Sequence, residues 1–363
     1  MEKQINKKIT LLQALLLYIV AVYAPFIRYY TKMSVYHAHQ AGWLSFIFNL
    51  VLFIPLLYML YKVTKKFEGQ SLHDIFNQVF GKFISKTLSI IYIIWLFILL
   101  CLYIKYSGET LVLTTYVYTD IKLMLFLVVV IVGIMLRWGL TVLERMNKLI
   151  FALIVLQLII LLVFLFSGFS IKNVTPISTL DIIPLFKTSF YILVISSYIS
   201  FVFIFNDQIK YGTKNFGKFA FTTGFLTIVS TLILLATLGN LSYELINKLL
   251  FPFTSAVKSV YIFKESAGLD ALFISMWMLA DFITVSFFTY CIVRLIKNVF
   301  NLKSQTPALT AVLGFAFFFA VFLNNNVFEL VIFSQTVAFV GSLALGFVVP
   351  LALFITAKAR KMI

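Results

Sequence analysis

What most constrains this chain is a recurring pattern: apolar runs of about 20 residues, nearly free of charge, follow one another almost from end to end. At helical rise such a run crosses the hydrocarbon core of a bilayer. Ten can be marked, at 11–30, 41–61, 87–107, 121–137, 147–167, 184–206, 218–240, 270–295, 307–324 and 330–356. No polar block interrupts them, so residues 1–363 read as a single polytopic membrane domain. With 62% hydrophobic residues, 12% charged and a mean hydropathy of +1.04, a soluble domain is excluded.

The net charge of +16 raises nucleic acid as a partner, but the basic residues are dispersed among short loops, which indicates orientation in a lipid bilayer and no nucleic acid. Ten spans place both termini on one side. Of 29 Lys and Arg, 20 fall on that side, with at least three in every loop there, so both termini are expected in the cytoplasm of a bacterial cell membrane. Lys3, Lys7 and Lys8 before an apolar run resemble a signal sequence, yet no small-x-small cleavage site follows, and the first segment is expected to be retained. Cys101 and Cys291 lie inside apolar runs without CxxC spacing and read as packing residues.

Segment 1 carries Pro25. Proline removes an amide donor and disfavours helical geometry at the preceding residue, so a kink or break is expected around Tyr23, Ala24, Pro25 and Phe26. Backbone freed in this way at membrane depth must face protein or a wet cavity, where transporters bind ligands. The alternative is a plain proline kink near the outer end, with Arg28 among the headgroups. Dividing ten spans as five plus five makes segment 6 the partner of segment 1. There Ser196, Ser197 and Tyr198 can cap unwound backbone or bond back to their own helix, and no Gly or Pro interrupts the centre.

Asp281 is the one acid deep within a span. An ionised aspartate there costs roughly 2.5 to 3.5 kcal/mol on insertion scales, so it must be protonated, paired or wetted. With Thr284 it forms a candidate ion or proton site; a neutral Asp281 bonded to a neighbouring helix is the alternative. Asn49, Gln157, Tyr103 and Tyr106 can bond between helices or line a cavity. His37 and His39 lack a carboxylate or Cys partner, so no metal is expected. Residues 67–86 place Leu72, Ile75, Phe76, Val79, Phe80 and Phe83 on one helical face, which predicts an amphipathic helix on the inner surface. Residues 243–269 predict a counterpart on the outer interface. Ser255-x-x-Lys258 matches one short catalytic pattern without its companion motifs, and no other enzyme motif or cofactor site is found.

Four pieces in order resemble the spore germination permease family, the membrane-embedded B subunit of nutrient germinant receptors. They are Gln40-Ala41-Gly42-Trp43-Leu44-Ser45, then Gly139-Leu140-x-x-Leu143-Glu144-Arg145, then Asn173-x-x-Pro176. The fourth is Phe251-Pro252, followed by Phe263-Lys264-Glu265 and Leu269-Asp270-Ala271-Leu272-Phe273-x-x-x-Trp277. That family is similar to the amino acid/polyamine/organocation transporters. The resemblance implies an all-α, LeuT-like fold of ten transmembrane helices in two inverted five-helix repeats, with segments 1 and 6 lining a central site. It also implies a spore inner membrane location, receptor subunits of A and C type as partners, and a small nutrient ligand such as an amino acid. Related transporters carry glycines where this chain has Tyr23-Ala24-Pro25-Phe26 and Ile195-Ser196-Ser197-Tyr198, and Gly268 stands where the family pattern has an arginine.

These readings converge on a sensor. A nutrient bound at Tyr23, Ala24, Pro25, Phe26, Tyr103, Ser196, Ser197 and Tyr198 would bias a conformational change passed to partner subunits. An amino acid symporter with net transport is the alternative, and a scaffold subunit whose pocket no longer binds is the third.

Overall fold

The computed structural model describes residues 8–212, 215–259, 269–323 and 327–363. Lys3, Lys7, Phe263, Lys264, Glu265 and Gly268 lie outside them, as do the side chains of residues 269–272. Among the described residues seven helical runs are long and apolar enough to cross a membrane, and Thr306–Phe322 is a shorter apolar helix. The first run, Leu11–Lys66, has 56 residues and would measure about 84 Å if straight, more than twice the thickness of a bilayer core. It turns at His39, whose backbone leaves the helical region at φ 46°, ψ −125°. Counting it as two passes and adding the 17-residue helices Ile121–Arg137 and Thr306–Phe322 accommodates the ten segments.

Burial sorts these segments into an inner and an outer set. Of the most apolar stretch of each run, 89% is buried in Thr179–Gln208 (segment 6) and in Phe273–Phe300 of segment 8, but only 33% in Leu140–Ser167 (segment 5). Segment 1 is also central: its first helix, Leu11–Pro25, is buried on all sides from Leu17 onward. It starts on a capping box, with Thr10 Oγ1 accepting from the Gln13 amide and Gln13 Oε1 accepting from the Thr10 amide. Just before it, β1 (Ile9–Thr10) pairs in parallel with β2 (Ile209–Lys210), which ties the start of segment 1 to the end of segment 6.

The motifs quoted above are mostly joints. Gly42 lies in a tight turn, His39–Leu44, where a Cβ would come within 2.6 Å of the Ser34 carbonyl oxygen. Ser45 Oγ donates to the Gly42 carbonyl at 2.6 Å. Glu144 is buried and pairs with Lys148 at 2.8 Å, and Asn173 Nδ2 donates to the Gly239 carbonyl at 3.0 Å, joining the 5–6 loop to the end of segment 7 (Asn215–Asn240).

Two expectations need correcting. The amphipathic helix is Leu72–Phe80, capped by Ser71 and Asp74 and ended by Gly81 at φ 91°. Its apolar face packs on the bundle, with Phe76 5.8 Å from Tyr92, and Phe83 is not part of that face: it opens segment 3 (Lys82–Thr114) and is 84% exposed. Arg28 and Lys105, two of the nine basic residues that ten spans put on the opposite side from the termini, are 3% and 4% exposed and sit within the bundle. On the face opposite β1 and β2, the 7–8 connection contains two short helices, Tyr243–Lys248 and Pro252–Lys258.

Candidate functional site

Segment 1 does not break at Pro25. The α-helix ends there and passes into one π turn, Phe26–Tyr30, and then into Thr31–Ala38, with Phe26 still helical at φ −60°, ψ −54°. Proline deprives one carbonyl, that of Ala21 four residues back, of its ladder donor. Thr284 Oγ1 from segment 8 (Leu269–Phe300) lies 2.9 Å from that same carbonyl and 2.9 Å from the Ala280 carbonyl of its own helix, so its one hydroxyl hydrogen is shared between the two. A neighbouring helix thus supplies the missing bond, which is how a membrane helix retains an internal proline. Thr284 therefore serves the backbone of segment 1 rather than the Asp281 carboxylate.

Segment 6 behaves in the opposite way. Its α-helix, Ile182–Ser196, gives over to a 12-residue 3₁₀ stretch, Ser197–Gln208, that contains a non-helical Phe205 (φ −110°, ψ 32°). Runs of this kind beyond three or four residues are uncommon, and a mid-helix one often marks a hinge. Hydrogen bonds from other segments gather at the change. Tyr18 OH donates to the Ser196 carbonyl and Asn49 Nδ2 donates to Ser196 Oγ, both at 2.9 Å. Ser197 Oγ bonds back to the Val194 carbonyl at 2.7 Å, and Ser200 Oγ donates to the Gly346 carbonyl at 2.6 Å. Gly346 belongs to a second π turn, Ala344–Val348, in segment 10, and its missing side chain leaves space that Ser197 occupies.

Between these two irregular elements lie two small cavities, of about 30 and 40 Å³, enough for ordered water. They divide the predicted site. Tyr23, Phe26 and Ser196 line the larger, on the side of segments 2, 5 and 7; Pro25, Tyr103 and Tyr198 line the smaller, on the side of segments 3 and 10. Tyr103 OH and Tyr198 OH share a hydrogen bond at 2.9 Å, and the Tyr103 ring stacks on Phe288 at 5.2 Å. Ala24 and Ser197 are fully buried and line neither cavity.

The strongest electrostatic feature is an ion pair buried between segments 1 and 8. Arg28, within the π turn that follows Pro25, meets Asp281 at 2.6 Å, with side chains 2% and 3% exposed. Arg28 Nε also donates to Thr110 Oγ1 at 3.1 Å. Its guanidinium lies 5.0 Å from the Trp277 ring and 5.2 Å from the Tyr106 ring, and Trp277 is in turn packed edge-on by Phe251 at 5.5 Å. The Phe251-Pro252 and Trp277 motif thus encloses a buried cation. One donor, Arg28 Nη1, and one acceptor, Asp281 Oδ1, have no hydrogen-bond partner among the described residues. A lone Arg in one apolar run and a lone Asp in another is the signal that identifies such a pair, because neither charge is tolerable there alone.

Toward the 7–8 connection, a vestibule of about 280 Å³ reaches down to Arg28, Tyr29 and Tyr106, which also line the smaller cavity, and carries Lys32 and Lys248 on its wall. Of the other polar candidates, Tyr106 OH bonds to Ser334 Oγ at 2.9 Å, whereas Gln157 is buried with no partner among the described residues. His37 stacks on Tyr191 and His39 meets the edge of Tyr243.

The profile of the spore germination protein family, the spore permeases, matches residues 8–329. The chain belongs to that family. Its fold is similar to that of MhsT, a LeuT-fold protein whose crystal structure was solved in complex with L-phenylalanine. The two share 12% identity with a TM-score of 0.69 over 96% of this chain and 98% of MhsT. No curated protein matches the sequence. This spore permease is therefore an integral membrane protein with a LeuT-like fold, in which segments 1 and 6 occupy the centre.

Proposed function

We propose that the protein is the nutrient-sensing membrane subunit of a spore germination receptor, and that it binds a small amino acid where segments 1, 3, 6 and 8 meet. The observation that carries this reading is the buried Arg28–Asp281 pair beside the Pro25, Tyr103 and Tyr198 cavity. Each partner keeps one unused polar atom, so a ligand bearing both a carboxylate and an ammonium group finds an acceptor and a donor in one place. MhsT, of like fold, was solved with L-phenylalanine. As the cavity has room only for water, the ligand must part Arg28 and Tyr106 from their present contacts, and so it favours one state over another. The 3₁₀ stretch of segment 6 is the element suited to carry that change toward receptor subunits of A and C type. The bias of Lys and Arg toward the β1–β2 side supports cytoplasmic termini in the spore inner membrane, and burial of Arg28 and Lys105 removes two charges from the opposing tally.

Two measurements test this. Thermal unfolding of the purified chain, screened against the amino acids, is expected to shift upward with at least one; no shift with any of them makes this a scaffold subunit. In spores, Tyr198→Phe and Tyr103→Phe are expected to raise the nutrient concentration for half-maximal germination several-fold, and unchanged dose curves would remove these residues from the site. Gradient-dependent uptake of labelled amino acid by proteoliposomes would replace sensing with transport.

A further inference from the structure

Away from the central site, the face that carries β1 and β2 holds a cavity of about 310 Å³ between the ends of segments 4, 6, 8 and 9. Arg137 ends segment 4, Arg294 and Lys297 lie on the last turns of segment 8, and Lys303 precedes segment 9; all four line it. Among the described residues the one carboxylate bonded to any of them is Asp207, held by Arg294. Four cations against one anion leave three positive charges around a single space.

The local backbone adds to this field. Segment 9 opens at Thr306, whose amide donates to Ser304 Oγ at 3.3 Å, and Ser304, Gln305 and Thr306 line the cavity, so the positive end of a 17-residue helix lies beside the same space. Arg294 is nearly buried, its side chain 11% exposed, and its Nε donor has no partner among the described residues. Loop lysines that only orient a membrane protein stand apart in water; these converge on a hollow. The hollow is also walled by Leu136, Leu140 and Leu309, Ile134 and Trp138 are exposed next to Arg137, and segment 9 exposes Phe315 and Phe318 further along its length. Charge in the hollow and apolar helix face alongside match the headgroup and the chains of a lipid.

We propose that this cavity binds the phosphate of an anionic phospholipid, with Arg294 and Lys297 as inner contacts and Arg137 and Lys303 at the rim. The site is separate from the central one and does not depend on the function proposed above. A soluble phosphate would offer the same chemistry, so the experiment separates the two sources.

The full chain in neutral detergent is titrated with phosphatidylglycerol, cardiolipin, phosphatidylcholine or inorganic phosphate while its thermal unfolding is followed. Phosphatidylglycerol and cardiolipin are expected to raise Tm saturably and phosphatidylcholine to leave it unchanged. Lys297→Gln with Lys303→Gln should raise the half-saturating lipid concentration about tenfold. Lys358→Gln with Arg360→Gln, at the end of segment 10 and outside the cavity, should leave it alone. Arg137→Gln, at an exposed rim position, gives a second reading of the site should the lysine double variant fold poorly, and it should weaken binding in the same direction. Equal stabilisation by phosphatidylcholine, or equal loss in both double variants, overturns the site. Inorganic phosphate acting as strongly as lipid, with the same dependence on Lys297 and Lys303, overturns the lipid as its occupant.

Discussion

Segments 1 and 6 cross the centre of the same bundle and reverse what their sequences suggest. Segment 1 contains a proline and remains helical from Leu11 to Ala38 by way of one π turn. Segment 6 has neither glycine nor proline at its centre, yet it leaves the α-helix at Ser197 for twelve residues. The difference lies in what neighbours supply. Segment 8 returns to segment 1 the bond its proline removed, through Thr284, and locks the following turn through Asp281. Segments 1 and 2 pull on Ser196 in segment 6 through Tyr18 and Asn49, and segment 10 receives Ser200. A proline is therefore a poor guide to where a membrane helix opens; the placement of donors and acceptors on adjacent helices decides it.

The severest test of the anchored state of segment 1 is Asp281→Asn. It leaves Arg28 buried without a counter-ion, and a loss of about 3 to 5 kcal/mol is expected in unfolding from detergent. Arg28→Met with Asp281→Leu should cost less than either single change, because no lone charge remains. Were the double variant the least stable of the three, the pair would be contributing more than mutual neutralisation.

Gly346→Ala probes segment 6, since the added methyl presses on Ser197; about 1 to 3 kcal/mol is expected, with faster amide exchange confined to residues 197–208. Exchange that quickens equally in segment 1 would show the two elements to be one unit.

Thr284→Val strands the Ala21 carbonyl and should cost about 1 to 3 kcal/mol. In a Pro25→Ala background, where residue 25 again has an amide to offer, that cost should largely vanish. A double-mutant cycle with no coupling would refute the account of how segment 1 survives its proline.

Smallest of all is Pro25→Ala alone, expected to change stability by less than about 1 kcal/mol, since the ring already sits in continuous helix. A loss as large as that of Gly346→Ala would mean that the proline holds the π turn in place.

Much of the fold was legible in the residues. The apolar runs marked the segments, the helical spacing of Leu72, Ile75, Phe76 and Val79 marked the short amphipathic helix within 67–86, and the ordered motifs from Gln40 to Trp277 pointed to the family that the match over residues 8–329 shows. The centre was less legible. Pro25 and Asp281 stand out in the sequence as unusual, but Arg28 sits near the end of its apolar run, where a place among the headgroups is the simple alternative, and 253 residues from its partner. Tyr103 and Tyr198 belong to one candidate site in the sequence, but nothing in their spacing announces that their hydroxyls meet.

By itself the sequence determined that this chain is a bundle of helices in a bilayer, because only that environment suits so many long apolar runs. Only the tertiary structure decided which of those helices are inner and which are outer. The reason is physical: lipid chains and protein interior are about equally apolar, so a leucine facing one reads like a leucine facing the other. Helix order within the bundle is then set by sparse polar contacts such as Arg28 with Asp281 and Thr284 with Ala21, and those exist only once distant segments lie side by side.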